Sequence, residues 1–115
     1  MPAMATILLN DPDESSRVLL TALLEALGHR VVGEIGTDRV DAAVIAPESR
    51  QAMSQVRRLR AIRGRTPVIC VSGRRRSVTA MRLEPVAFIA KPVPVGPFVR
   101  AVTAAVDRSR SAAAA

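Results

Sequence analysis

Five short apolar runs, several rich in β-branched residues, punctuate the chain, and most of the stretches between them repeat apolar residues every three or four positions. The runs are Thr6–Asn10, Arg30–Glu34 around Val31-Val32, Asp41–Ala46, Pro67–Val71 and Val86–Ala90. Continuous apolar strands such as "PVICV" suit a sheet covered on both faces, and strands alternating with helical segments imply a parallel sheet. The spacing predicts a helix over Glu14–Leu27, with Leu19, Leu20, Leu23, Leu24 and Leu27 on its apolar side and Gly28 as its stop. A second helix starts at a Ser49 cap and places Ala52, Val56, Leu59 and Ile62 on one face, with Arg50 and Arg57 toward water. Arg76–Leu83 reads as a short, weak helix. Pro97–Asp107 reads as the last one, with Phe98, Val102 and Ala105 forming its stripe. The expected fold is therefore α/β, a five-stranded parallel sheet with helices on both faces.

One connection breaks the rhythm. About nine residues separate Val32 from the third strand. A crossover that includes a helix needs at least ~10–12 residues. The second helix of a regular alternation is therefore expected to be missing or cut to a single turn, and the second and third strands are free to pair differently.

Composition excludes several functions. The chain has 115 residues, one domain's worth, with 49% hydrophobic residues. Residues 1–109 are expected to form that domain and 110–115 a disordered tail. No apolar stretch reaches the ~18 residues of a membrane span, and no secretory signal opens the chain. Cys70 is the only cysteine, set inside an apolar run, so a disulfide framework is excluded and a cytoplasmic setting fits. Two aromatics, Phe88 and Phe98, cannot build a stacking platform for single-stranded nucleic acid. The net charge of +7 permits a polyanionic partner without specifying one. His29, just after Gly28, reads as exposed. No catalytic triad, zinc-ligand spacing or phosphate-binding glycine loop is present, so no enzymatic activity is expected.

In a wound parallel sheet the working site lies beyond the carboxyl ends of the strands. The residues to weigh are Asn10-Asp11, Ala46-Pro47, Ser72-Gly73 and Lys91-Pro92. The order of "SSRVLLTALLEALGHRVV", "PVICVSG" and "FIAKPV" resembles the receiver domain of bacterial response regulators, over Thr6–Asp107. The resemblance implies the flavodoxin-like receiver fold of two-component, phosphorelay signalling and a cis bond at Lys91-Pro92. It also implies that Lys91 stands where the family's lysine contacts an acyl phosphate. Ser72 holds the position of the hydroxyl that moves toward that phosphate, and Phe88 that of the switch aromatic. The phosphoacceptor position falls on Ala46, which has no nucleophile. The resemblance is thus to a degenerate, pseudo-receiver member, and neither Glu48 nor Asp41 supplies the missing acid.

Two readings of Asp11 follow. It is either the remnant of an acidic pair that holds Mg²⁺, or the N-cap of the first helix with Pro12 at N1 and Glu14 at N3. One carboxylate makes a poor Mg²⁺ site, so no metal or other cofactor is expected. Lys91 is then an anion contact, a solvated lysine or an ion pair with Asp11. Ser72 is either a site hydroxyl or a turn residue, and Phe88 either a switch or core. Eight arginines fall between Arg57 and Arg76. Arg74, Arg75 and Arg76 belong at the site edge. Arg57–Arg65 run toward the opposite edge, so one shared patch is not expected. The expected function is phosphorylation-independent signalling by protein–protein contact, with homodimerisation through the Arg76–Leu83 helix, the fifth strand and the last helix, where Val99 and Val106 lie off the core stripe. The alternative is an anion-binding module using Arg74–Arg76, for nucleic acid or a nucleotide messenger.

Overall fold

A computed structural model describes residues 4–74 and 76–114, with side chains to residue 112. The elements in chain order are β1 (Thr6–Asn10), α1 (Glu14–Ala26), β2 (Arg30–Val32), β3 (Ala42–Ile45), α2 (Arg50–Ile62), β4 (Val68–Ser72), α3 (Val78–Met81), β5 (Ala87–Ala90) and α4 (Val95–Ala114). All strand pairs are parallel, in the order β2-β1-β3-β4-β5. The expected α/β sheet is present. The short link between β2 and β3 changes neither strand's partner, since both pair with β1.

That link, residues 33–41, crosses β1 without a helix, as its length requires. Ile35 and Val40 pack where a helix would have stood, against Leu8, Ala43 and Val56. Asp41 fastens the crossing: its Oδ2 accepts the Thr6 N–H at 2.8 Å and its Oδ1 lies 3.2 Å from Arg39 Nε.

Strand alternation divides the core in two. On one face Ile7, Leu9, Val44, Ile69 and Val71 meet Leu20 and Leu24 of α1 and Phe98, Val102 and Val106 of α4. On the other, Leu8, Ile45, Val68 and Cys70 meet Met53, Val56 and Leu59 of α2 and Leu83 beyond α3. The predicted stripe of α4 is thus correct but too narrow. Val106 is 4% exposed and belongs to the core, because its position four residues after Val102 continues the same face. Leu19 and Ile62 depart the other way and are exposed, Ile62 as the last residue of α2.

The last helix also exceeds its expected span. It starts at Val95 and runs to Ala114, so the segment read as a tail from residue 110 is helical to that point. No glycine or proline interrupts Asp107–Ala114, and alanine is the best helix former. Arg39 Nη2 donates to the carbonyl and hydroxyl of the buried Ser109, tying this helix to the amino edge of the sheet. His29, read as exposed, is half-buried at the same edge, where its Nδ1 accepts the Ala5 N–H at 3.4 Å.

Candidate functional site

The carboxyl ends of β1, β3, β4 and β5 are held in line by the ladder, with Asn10 opposite Ile45 and Ser72 opposite Ala90. Two backbone bonds extend the alignment one residue further: Ala46 N–H to the Asn10 carbonyl at 3.0 Å, and Lys91 N–H to the Ser72 carbonyl at 2.9 Å. The register therefore brings Asp11, Ala46, Ser72 and Lys91 to one edge of the sheet. The Lys91-Pro92 bond is cis.

Asp11 does not cap α1. The N-cap is Asp13, whose Oδ2 accepts the Ser16 N–H at 3.2 Å and the Ser16 hydroxyl at 2.7 Å. These bonds hold the Asp13 carboxyl below its usual pKa, the Ser16 hydroxyl contributing most. "DPDES" offers two aspartates in capping register. The proline between them leaves Asp11 to close the turn instead, with Oδ1 accepting the Asp13 N–H at 2.9 Å. Asp11 is thereby pulled inward, to 3% exposure. Its Oδ2 lies 2.9 Å from Lys91 Nζ. The ammonium is a close charge partner, but it is not aligned as a hydrogen-bond donor to that oxygen. The Asp11 carbonyl accepts from Arg17 Nη1 at 3.0 Å.

Ser72 is 1% exposed and fully engaged. Its Oγ donates to Glu48 Oε2 at 2.9 Å and accepts the Arg74 N–H at 3.0 Å. Glu48, which sequence reasoning set aside, is thus the acid that reaches the site hydroxyl. Its position two residues after Ala46 carried the signal, but the contact spans 24 residues and depends on the fold. Phe88 is half-buried against the α2-side core, and the Arg76 guanidinium stands 5.6 Å from its ring centroid, within cation–π reach. Arg76 therefore serves Phe88 and not a shared cluster with Arg74. Arg75 lies outside the described residues.

The residues do not fit a Mg²⁺ site. Ala46 offers no oxygen from its side chain, and the one nearby buried carboxylate faces a lysine ammonium. Mg²⁺ takes six oxygens in octahedral array and is held there by one or two free carboxylates besides its waters and phosphate oxygens. Among the described residues, no three His, Cys, Asp or Glu side chains converge.

Arg57 corrects a second expectation. It sits two turns into α2 and lines one open cleft of about 570 Å³ together with Arg50 and Arg74. Arg63 and Arg65 line a separate cleft, beside Ser109.

No family model and no curated protein sequence matches the chain. Among solved structures it is similar to a CheY-like response regulator receiver domain protein from Methanospirillum hungatei JF-1, with a TM-score of 0.80, 18% identity, and coverage of 95% of this chain and 98% of that one. The signal receiver domain of an HD domain-containing protein from Pseudomonas fluorescens Pf-5 superimposes with a TM-score of 0.79 at 18% identity, covering 95% and 99% of the two chains. A response regulator receiver protein from Pseudomonas putida gives 0.71 at 24% identity, covering 90% and 98%. Strand order and these superpositions agree: the chain has the fold of response-regulator receiver domains.

Proposed function

We propose that the protein is a receiver-like signalling module that works by protein contact without phosphorylation at the usual position. The observation that carries this is Ala46 just beyond β3, 1% exposed, with the surrounding polar groups already matched to one another. Lys91 faces Asp11 and Ser72 faces Glu48. A phosphoryl group would have no nucleophile to join and would compete with two carboxylates for the lysine and the hydroxyl. The arrangement favours one fixed state of this edge.

The face formed by α3, β5 and α4 is the proposed contact surface. β5 is an edge strand, and a four-residue α3 leaves much of its flank uncovered. Val78 is 72% exposed, Met81 44% and Val95 52%. Self-association about a two-fold axis is the simplest use of such a face. Sedimentation velocity tests it: wild type forms a concentration-dependent dimer that Val78→Glu or Val95→Glu dissolves, and treatment with acetyl phosphate changes nothing. A wild type monomeric at several hundred micromolar, or a dimer indifferent to both substitutions, removes this face. Val106→Glu is no test of it, because Val106 is core.

A further inference from the structure

We infer that the cleft between α2 and the β4–α3 loop binds a small polyphosphate-bearing ligand of nucleotide size, independently of the reading above. Arg50 and Arg57 of α2 and Arg74 of the loop line it, together with Ser49, Ser77 and Met53. The volume, about 570 Å³, falls in the range of small-molecule sites.

Charge points to the ligand class. Among the described residues, none of the three guanidinium groups has a hydrogen-bond or ion-pair partner. Glu48, the one acid among the described residues that line the cleft, accepts the Ser72 hydroxyl. Three cations against one carboxylate leave a net positive cleft. Arg50 and Arg57 are seven residues apart, two turns on the same side of the helix and about 10 Å along its axis. That separation suits an extended di- or triphosphate better than a single phosphate, and planar guanidinium groups pair with phosphate oxygens two at a time.

The helix itself carries a local conflict that an anion relieves. The first turn of α2 has no acid and begins with Arg50, a cation at the positive end of the helix dipole. Ser49 Oγ accepts the Ala52 N–H and Ser77 Oγ accepts the Ala80 N–H, so both hydroxyls keep their protons for donation. Among the described residues, no aromatic side chain lines the cleft. Recognition therefore rests on phosphates, and discrimination between bases is weak.

The test is titration of ¹⁵N-labelled full chain with ADP, pyrophosphate and inorganic phosphate in low-salt buffer. ADP and pyrophosphate are expected to give saturable amide shifts at Ser49–Met53, Arg74 and Ser77–Thr79, and inorganic phosphate to bind at least several-fold more weakly. Arg57→Gln or Arg74→Gln weakens ADP about tenfold, the loss of one charged hydrogen-bonding group, while Arg65→Gln, at the other cleft, leaves it unchanged. No saturable shift at 10 mM ADP overturns the proposal. So does equal affinity for phosphate and pyrophosphate. A response spread over Arg65→Gln as much as Arg57→Gln also overturns it, and the same pattern with duplex DNA in place of ADP would assign the arginines to diffuse polyanion contact.

Discussion

Lys91→Met should damage the protein more than Asp11→Asn, and the asymmetry can be worked from burial. The Asp11 side chain is 2% exposed and that of Lys91 21%. Removing the lysine strands a buried carboxylate with one hydrogen bond left, from the Asp13 N–H. Breaking a fully buried pair this way costs about 3–5 kcal/mol. The partial exposure of Lys91 admits some water, which brings the expectation to about 2–3 kcal/mol. At a urea m-value of about 1.5 kcal/mol/M, the midpoint falls by roughly 1.3–2 M. Asp11→Asn keeps the acceptor for Asp13 and lets Lys91 swing to solvent, so it costs about 1 kcal/mol or less. The double variant should recover at least about 1 kcal/mol relative to the sum of the two. Urea unfolding of the four proteins, followed by circular dichroism, completes the cycle. Equal single costs with strict additivity would show that the pair holds no coupled charge and refute the reasoning.

Three further outcomes are expected. Burial lowers the pKa of His29, helped by the charge of Arg110 and opposed by that of Asp41. The unfolded chain then binds the proton first as pH falls past ~6.5, so stability drops below that pH; His29→Gln should flatten the pH 5–7 part of a thermal-unfolding series. Burial pushes the Cys70 thiol up to about 11. Thiol reagents at pH 8 should label it only at the rate of unfolding, and stability should decline as pH rises above ~8.5, where the unfolded thiol ionises and the folded one does not. Asp13→Ala should lower the melting temperature, whereas Asp13→Asn, which caps equally well, should leave it nearly unchanged. The lowered Asp13 carboxyl implies that its contribution persists under mild acid and fades only as pH falls through that lowered value.

Local pattern decides some of these features and not others. The β-branched runs and the Phe98, Val102, Ala105 spacing are properties of adjacent residues, so strands and the α4 stripe could be read directly. The missing crossover helix followed from counting nine residues. Of the two readings of Asp11 the capping one fails: Asp11 and Asp13 both stand in capping register, and Asp11 instead closes the turn onto the Asp13 N–H and faces Lys91, eighty residues later. Glu48 with Ser72, and Arg57 with Arg74, are likewise pairs joined only by the sheet's register and the placement of α2. Val106 and Ile62 show the limit of a helical stripe: its width depends on how much sheet lies beneath it.

The central claim, that this site edge does not take up a phosphoryl group, is tested most directly with Mg²⁺ and beryllofluoride, a mimic of the phosphorylated state, monitored by ¹H–¹⁵N correlation spectra of the ¹⁵N-labelled chain. Resonances of Asp11, Ala46, Ser72 and Lys91 should stay where they are up to millimolar reagent, with no added mass after acetyl phosphate. Saturable shifts at Lys91 and Ser72, or a species heavier by one phosphoryl group, would contradict it.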